Sequence, residues 1–538
     1  MRKLKVAVLV DGGRASRFGI DALDALRGCD EISVFSCRNT RIVRRPFKHA
    51  AYYALNLVSI RNRLTAYVDV SVTRKSIAKM VEFESGYEGA WQTIPPEIIE
   101  QLAGFDVLIK LGLGLLRVPP ADRLPPPILS WHHGDPDRYR GRPAGFWEMT
   151  DGTPLVGQIV QILSNKLDSG GVVAFAETKV HPHSYRATLI EAYSVSHLLL
   201  NEAVRNALAG RTLEKNSAGK NYRLPTNVAV LRLVVKCAAA FARRLAYGAF
   251  YEKGWRVSEA QLDRGDAASV AEGRYFPPPE SWLTLPTPPG YTFLADPFPS
   301  SKPPGILVEA LNRKTALGEI VLIGEEGPRR LVSGKSHFSY PATLRSGRET
   351  FLVPEMEQSR RQRRFRLADG KAQDAGPLDI EGASRIIDPT LVEHGGRVYL
   401  FGNDADRGSA ALFLWSANSI DAPFRLHPSS PIRISPRGGR MAGAVASFGG
   451  RLIRFGQSFV ADYGEGVFAF EIEALTPEDY RERAIGEIRF ADREGPHTIN
   501  FDGERVVFDW YRRRFSALAG ARRLKARLGS RLLRPAKS

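Results

Sequence analysis

The stretch Ser130-Trp131-His132-His133-Gly134-Asp135-Pro136-Asp137-Arg138-Tyr139-Arg140-Gly141 decides the reading of the N-terminal half. It follows the short apolar run Pro127-Ile128-Leu129, which is the texture of a buried strand delivering polar residues at its end. Side chains alternate along a strand, so Ser130 and His132 share one face while Trp131 and His133 share the other. A loop rich in Gly, Pro, Arg and Tyr then covers that end. Imidazole titrates near neutrality, which suits His132 to proton transfer. Taken alone, His132 reads first as a buried, hydrogen-bonded histidine. A metal site from His132, His133 and Asp135 is not expected, because adjacent histidines on opposite strand faces make poor co-ligands. Asp135, Asp137, Arg138 and Arg140 are either substrate contacts or a solvated loop.

Outward from this stretch, residues 5–10 form a buried-type strand ending in Asp11-Gly12-Gly13, and 18–26 carry apolar residues at helical spacing. The Asp-Gly-Gly turn lacks the full GxGxxG fingerprint of dinucleotide sites. A second strand follows at 32–35, whereas 40–100 is mixed, basic and hard to place. Residues 105–116 read as a strand running into a loop broken by Gly112 and Gly114, where glycine permits close backbone approach. Runs at 156–163 and 171–180 fit a hairpin across Leu167-Asp168-Ser169-Gly170, and 184–209 reads as helix closing the domain. The class is α/β, of Rossmann-like build.

Ser130-x-His132, Tyr139-Arg140-Gly141 and Leu167-Asp168-x-Gly170 together resemble the formyltransferase family, whose signature is Asn-x-His, Tyr-Arg-Gly and Leu-Asp-x-Gly in this order. The resemblance covers roughly residues 1–200, with Ser130 standing where the family has Asn. It implies that His132 and Asp168 are the catalytic His and Asp, with Ser130 as a shorter donor near the formyl oxygen. It further implies that Leu113, Gly114 and Leu115 meet the folate of 10-formyltetrahydrofolate, and that Tyr139, Arg140 and Gly141 lie at the substrate. Formyl transfer needs a base for the amine proton and a donor for the oxyanion. Asn165 is a further conceivable donor.

Residues 211–265 form a basic connector, with Val228, Leu231, Val234, Val235, Ala238 and Phe241 at helical spacing among Arg232, Lys236, Arg243 and Arg244. Such a helix either lies on an anionic membrane surface or packs between domains. From about 266 the texture changes to short strands with frequent Gly and Pro. A loose repeat recurs roughly every fifty residues, opening at Asp296, Tyr340, Asp388, Ala442 and His497, which predicts a five-bladed β-propeller over 266–510. This half resembles the amino-terminal propeller of plant glucosamine inositolphosphorylceramide transferases, and more remotely the five-bladed glycosidases. The residues concerned are Phe293-Leu-Ala-Asp296-Pro-Phe, Tyr340-Pro341, Pro354-Glu355, Asp388-Pro389-Thr390-Leu391 and Gly456-Gln457. The glycosidase likeness implies a cluster of Asp296, Glu355 and Asp388 in the central cavity. Hydrolysis, carbohydrate binding and plain turn chemistry at Asp-Pro all stay open.

The chain has 538 residues, so it holds two or more domains: 1–210, the connector 211–265, the propeller 266–510 and a basic tail 511–538. Its net charge of +18 is concentrated in 211–256 and 511–538, so the folded domains need not prefer polyanions. Three cysteines without metal spacing fit a reducing compartment, and the apolar run at 6–10 is too short for a signal peptide. The expected location is cytoplasmic, peripheral to the inner face of the membrane through the basic segments. The function expected is N-formyl transfer from 10-formyltetrahydrofolate to an amino sugar that is nucleotide- or lipid-linked. A methionyl-tRNA substrate is the alternative, although nothing at 211–265 reads as the small β-barrel that normally follows that catalytic domain. A carbohydrate-binding scaffold disabled at Ser130 is the third reading.

Overall fold

The structure is a computed structural model that describes residues 3–38, 46–59, 63–166, 170–263, 265–356, 359, 361–383 and 385–524. The chain divides into two units, Met1–Arg243 and Arg244–Ser538. In the first, the body of one sheet is formed by β1 (Val6–Asp11), β2 (Glu31–Arg38), β3 (Ser76–Glu84), β4 (Val107–Lys110), β5 (Ile128–His132), β6 (Leu155–Ile162) and β7 (Gly171–Lys179). Their order is β3-β2-β1-β4-β5-β6-β7. Pairing is parallel from β3 to β5 and antiparallel across β6 and β7. The order reverses direction between β1 and β4. In open α/β sheets that switch point, at the carboxyl ends of the strands, is where ligands bind.

β1 is buried along nearly its whole length, which is why its sequence is an unbroken apolar run. One face of the sheet places Leu9, Phe35, Leu108 and Ile128 against Ile98 and Leu102 of the helix Pro96–Leu102. The helices Tyr185–Ser196 and Leu199–Leu208 pack on β6 and β7. The first of these helices is capped by Ser184, whose Oγ accepts from the Ala187 amide at 3.1 Å. The unplaced region of the sequence contains β3, an edge strand whose largely exposed side chains carry no apolar signature.

The second unit is the five-bladed propeller, an all-β array of five sheets. Four blades follow in chain order and start at Tyr291–Ser301, Phe338–Ser346, Ile386–His394 and Arg437–Met441. The fifth joins both ends of the unit. Tyr251–Gln261 pairs antiparallel with Arg505–Phe515 along its full length, flanked by Leu283–Thr284 and Ile499–Asp502. Pairing the two ends of the unit within one blade closes the ring.

This pairing corrects two expected boundaries. The connector is helical only over Asn227–Phe250, and its last part is a propeller strand. The tail begins inside the partner strand, since Arg512, Arg513 and Arg514 occupy its exposed end beyond the buried Tyr511. Positive charge at exposed strand positions imitated a solvated tail. On the helix, Val230 and Leu233 are buried in the core of the first unit, whereas Val228, Leu231, Val235 and Phe241 are exposed. No described helix is long and apolar enough to cross a membrane.

Candidate functional site

At the carboxyl end of β5, Ser130 and His132 are both buried. Ser130 is in register with Lys110 of β4 and Gln161 of β6. The alternation places Trp131 and His133 on the opposite face. There Trp131 Nε1 donates to the Ser196 carbonyl (3.0 Å), and His133 Nε2 pairs with Ser196 Oγ (3.0 Å). Burial, followed by the neighbouring His132, pushes the His133 imidazole down to about 3, so His133 is neutral and structural.

His132 Nε2 lies 3.2 Å from the Tyr139 carbonyl. A carbonyl only accepts, so Nε2 is the donor in this contact. Tyr139-Arg140-Gly141 therefore meets His132 through its backbone. The Tyr139 hydroxyl donates to Asp151 (3.2 Å), and Arg140 Nη1 donates to the Ser217 carbonyl (3.0 Å). Gly134 keeps the imidazole uncrowded, because a Cβ there would stand 2.7 Å from His132 Nε2. Asp135 and Asp137 are not a solvated loop: Lys215 Nζ bridges them at 3.0 and 3.4 Å.

Beyond β4, Leu113 adopts φ 60° and Gly114 φ 38°. A left-handed leucine costs roughly 1–3 kcal/mol and tends to mark a constrained site. The Leu113 amide donates to Asp11 Oδ2 at 3.0 Å, so the end of β1 holds this loop at the switch point. The other Asp11 oxygen is buried without a partner among the described residues. Sequence reading passed over Asp11 as part of a tight turn. Asn165 exchanges two hydrogen bonds with the Val118 backbone, at 2.8 and 3.0 Å, which engage its Oδ1 and one N–H. Asp168 lies outside the described residues.

In the propeller, Asp296, Glu355 and Asp388 do converge. They line one cavity of 260 Å³ together with Trp255, Phe293, Glu309, His337, Arg440, Tyr463 and His497. Asp296, Tyr340 and Asp388 open successive blades, each before a proline, with φ of 50°, 47° and 49°. Each sits where the pairing of its strand with the next shifts register. At Asp296 and Asp388 the resulting bulge turns the carboxylate into the cavity, whereas Tyr340 packs in the core. Asp-Pro is thus both a turn and the device that aims the carboxylate.

The ionisations differ. Burial works against the charge of Asp296, but His497, Thr498 and the Tyr340 amide outweigh it and hold this carboxyl below its ordinary value. Asp388 and Glu355 are raised, in both cases chiefly by burial, and Glu355 is raised further by the Asp388 carboxylate hydrogen-bonded to it. Arg440 Nε donates to Asp388 Oδ2 at 2.8 Å, and Gln457 Nε2 donates to the same oxygen at 2.9 Å. His497 Nδ1 lies 3.3 Å from both Asp296 and Asp509. The Asp509 carboxylate and the Asp296 hydrogen bond overcome burial and push the imidazole up to about 10. The same three residues are spaced as metal ligands could be. Asp509, however, already accepts from the His497 and Thr498 amides at 3.0 and 2.6 Å, which suits an imidazolium between two carboxylates. A separate recess of 340 Å³ beside Leu378 and Ile386 is lined by none of these groups.

Sequence reading missed Arg440, Tyr463 and Trp255. Trp255 fell in the supposed connector, Arg440 lies in a blade's first strand and Tyr463 in a loop between strands, and neither carries a motif.

Residues 331–506 match the family described as glucosamine inositolphosphorylceramide transferase 1, N-terminal. The protein named glucosamine inositolphosphorylceramide transferase 1 in Oryza sativa subsp. japonica is 32% identical over 157 residues, 27% of this chain and 20% of that protein. The chain therefore matches a fifth of that relative's length. An N-formyltransferase from Helicobacter canadensis, solved with folinic acid and dTDP-3-aminofucose, is 10% identical. It covers 44% of this chain and 80% of its own, with a TM-score of 0.28. The GH43_1 enzyme from Xanthomonas citri, solved with xylotriose, is 13% identical and covers 38% of this chain and 78% of its own, at a TM-score of 0.29. The propeller half is thus similar to the amino-terminal part of a plant transferase. Scores this low leave substrate and chemistry to the geometry.

Proposed function

We propose that the N-terminal unit is an N-formyltransferase that moves a formyl group from 10-formyltetrahydrofolate to the amine of an amino sugar, nucleotide- or lipid-linked. The observation carrying this reading is the pair Ser130 and His132 buried on one face of β5, with His132 Nε2 held by the Tyr139 carbonyl. His132 is the base that takes the amine proton as the carbon–nitrogen bond forms. The Ser130 hydroxyl supplies one hydrogen bond to the oxyanion of the tetrahedral adduct. Leu113, Gly114 and Leu115 fit a flat heterocycle through their backbone, since Asp11 fixes the loop and Gly112 leaves no side chain between the ends of β1 and β4. The donor supplies an activated formyl carbon, and its released nitrogen recovers a proton.

The test is a formyl-transfer assay with nucleotide-linked amino sugars. Formylated product from wild type and none from His132→Ala supports the reading. Equal product from both proteins contradicts it. The exposed stripe Val228, Leu231, Val235 and Phe241, with Arg232 and Lys236 beside it, supports peripheral binding to anionic membrane.

A further inference from the structure

The long strand pair of the fifth blade ends in a surface that formyl transfer does not use. We propose that the turn at 515–524 docks on an anionic lipid bilayer, with its apolar side chains set into the headgroup region.

Phe515 is the last residue of the pair, opposite Tyr251. Its ring stacks on Phe250 at 6.1 Å and meets Tyr251 edge-on at 5.9 Å. The chain then turns back on the end of the helix Asn227–Phe250. The Ser516 amide donates to the Phe250 carbonyl (2.8 Å), and Ala519 is fully buried. Gly520 lies against the helix, where a Cβ would stand 3.4 Å from the Ala249 Cα. Arg523 donates to the carbonyls of Tyr247, Gly248 and Tyr251, which satisfies the open carboxyl end of the helix. Arg522 pairs with Glu252 at 2.9 Å. The turn is therefore held in place, yet Phe515, Leu518 and Leu524 are 69%, 59% and 61% exposed. Large apolar side chains fixed in water gain free energy when an apolar partner covers them. All the residues of the turn belong to the second unit, which begins at Arg244.

Charge decides what that partner is. Residues 511–538 hold ten Arg or Lys and no acid. Arg512 and Arg513 pair with Asp492 and Glu494, at 3.3 and 2.9 Å. Arg514 is exposed, and five more basic residues follow Leu524. A second copy of the chain would bring the same cations face to face, which repels. A nucleic acid would answer the cations and leave Leu518 and Leu524 without an apolar partner. An anionic bilayer answers both, since its headgroups take the cations while aromatic and aliphatic side chains enter beside them. This surface rests on the membrane reading given for the helix stripe and adds to it a contact within the second unit.

The test is flotation of the full chain with vesicles of phosphatidylglycerol and of phosphatidylcholine, with sedimentation velocity alongside. Wild type should float with phosphatidylglycerol and not with phosphatidylcholine, and added salt should weaken the association. Phe515→Ser with Leu518→Ser keeps every charge and should cut the floated fraction about tenfold. Both positions are exposed, so thermal unfolding of this variant should match wild type. A serine variant that floats as wild type does overturns the surface. If Leu231→Glu with Val235→Glu then fails to float, the helix stripe stands alone as the membrane contact. Wild type that floats with neither lipid overturns both contacts. Equal flotation with the two lipids overturns the anionic bilayer as partner. A wild-type dimer that the serine variant lacks would make a second copy the occupant and overturn the proposal.

Discussion

The duties proposed for His132 and Ser130 are separable by substitution. Replacing His132 by Ala removes the base and is expected to lower kcat by about 10²–10⁴. Ser130→Ala removes the one hydroxyl donor proposed for the oxyanion, with an expected loss of about 10²-fold. Steady-state kinetics on both variants, with KM for the donor little changed, is the check. In the propeller, His497 gives a pH signature. Its folded value of about 10 exceeds the ordinary 6.5. Its stabilisation is therefore complete below about pH 6.5 and is lost as pH rises through about 10. Thermal unfolding should show a fall in stability at alkaline pH that His497→Gln abolishes. An unchanged alkaline profile in that variant would mean that His497 is not charged in the fold.

At the scale of elements, the helix Asn227–Phe250 divides its apolar residues between a face buried in the first unit and an exposed stripe. Flotation with anionic vesicles should carry the wild-type chain, and Leu231→Glu with Val235→Glu should reduce it several-fold. Equal flotation would remove this helix from any membrane contact. Periodicity showed the helix but not which stripe is covered, since Val230 and Leu233 lie only one or two positions from Leu231 and Val235. The period-two logic at Ser130 and His132 was fully legible, because a strand buried on both faces leaves little choice of side. Asp296, Glu355 and Asp388 were legible through their places in the repeat, Asp296 and Asp388 before proline. Arg440, Tyr463 and Trp255 were not, because only closure of the ring brings them to the axis. Strand Tyr251–Gln261 was hidden for the same reason: its partner lies about 250 residues away, beyond any local pattern.

For the whole molecule, one chain carries an α/β unit with Ser130 and His132 buried at the end of its central strands and a propeller whose cavity holds acidic and basic groups together. The two were distinguishable in the sequence by texture, although the boundary was displaced by basic residues on exposed strand positions. The account makes the first unit the chemical one, and its claim stands or falls with the formyl donor. The most direct measurement is calorimetric binding of 5-formyltetrahydrofolate to the full chain and to Gly114→Val. In this variant a branched side chain is forced onto a left-handed backbone, and its Cβ lies 3.1 Å from Gln92 Oε1. The account predicts saturable binding at one site per chain in the wild type and a loss of at least tenfold in the variant. Folded wild-type protein that takes up no folate would contradict it.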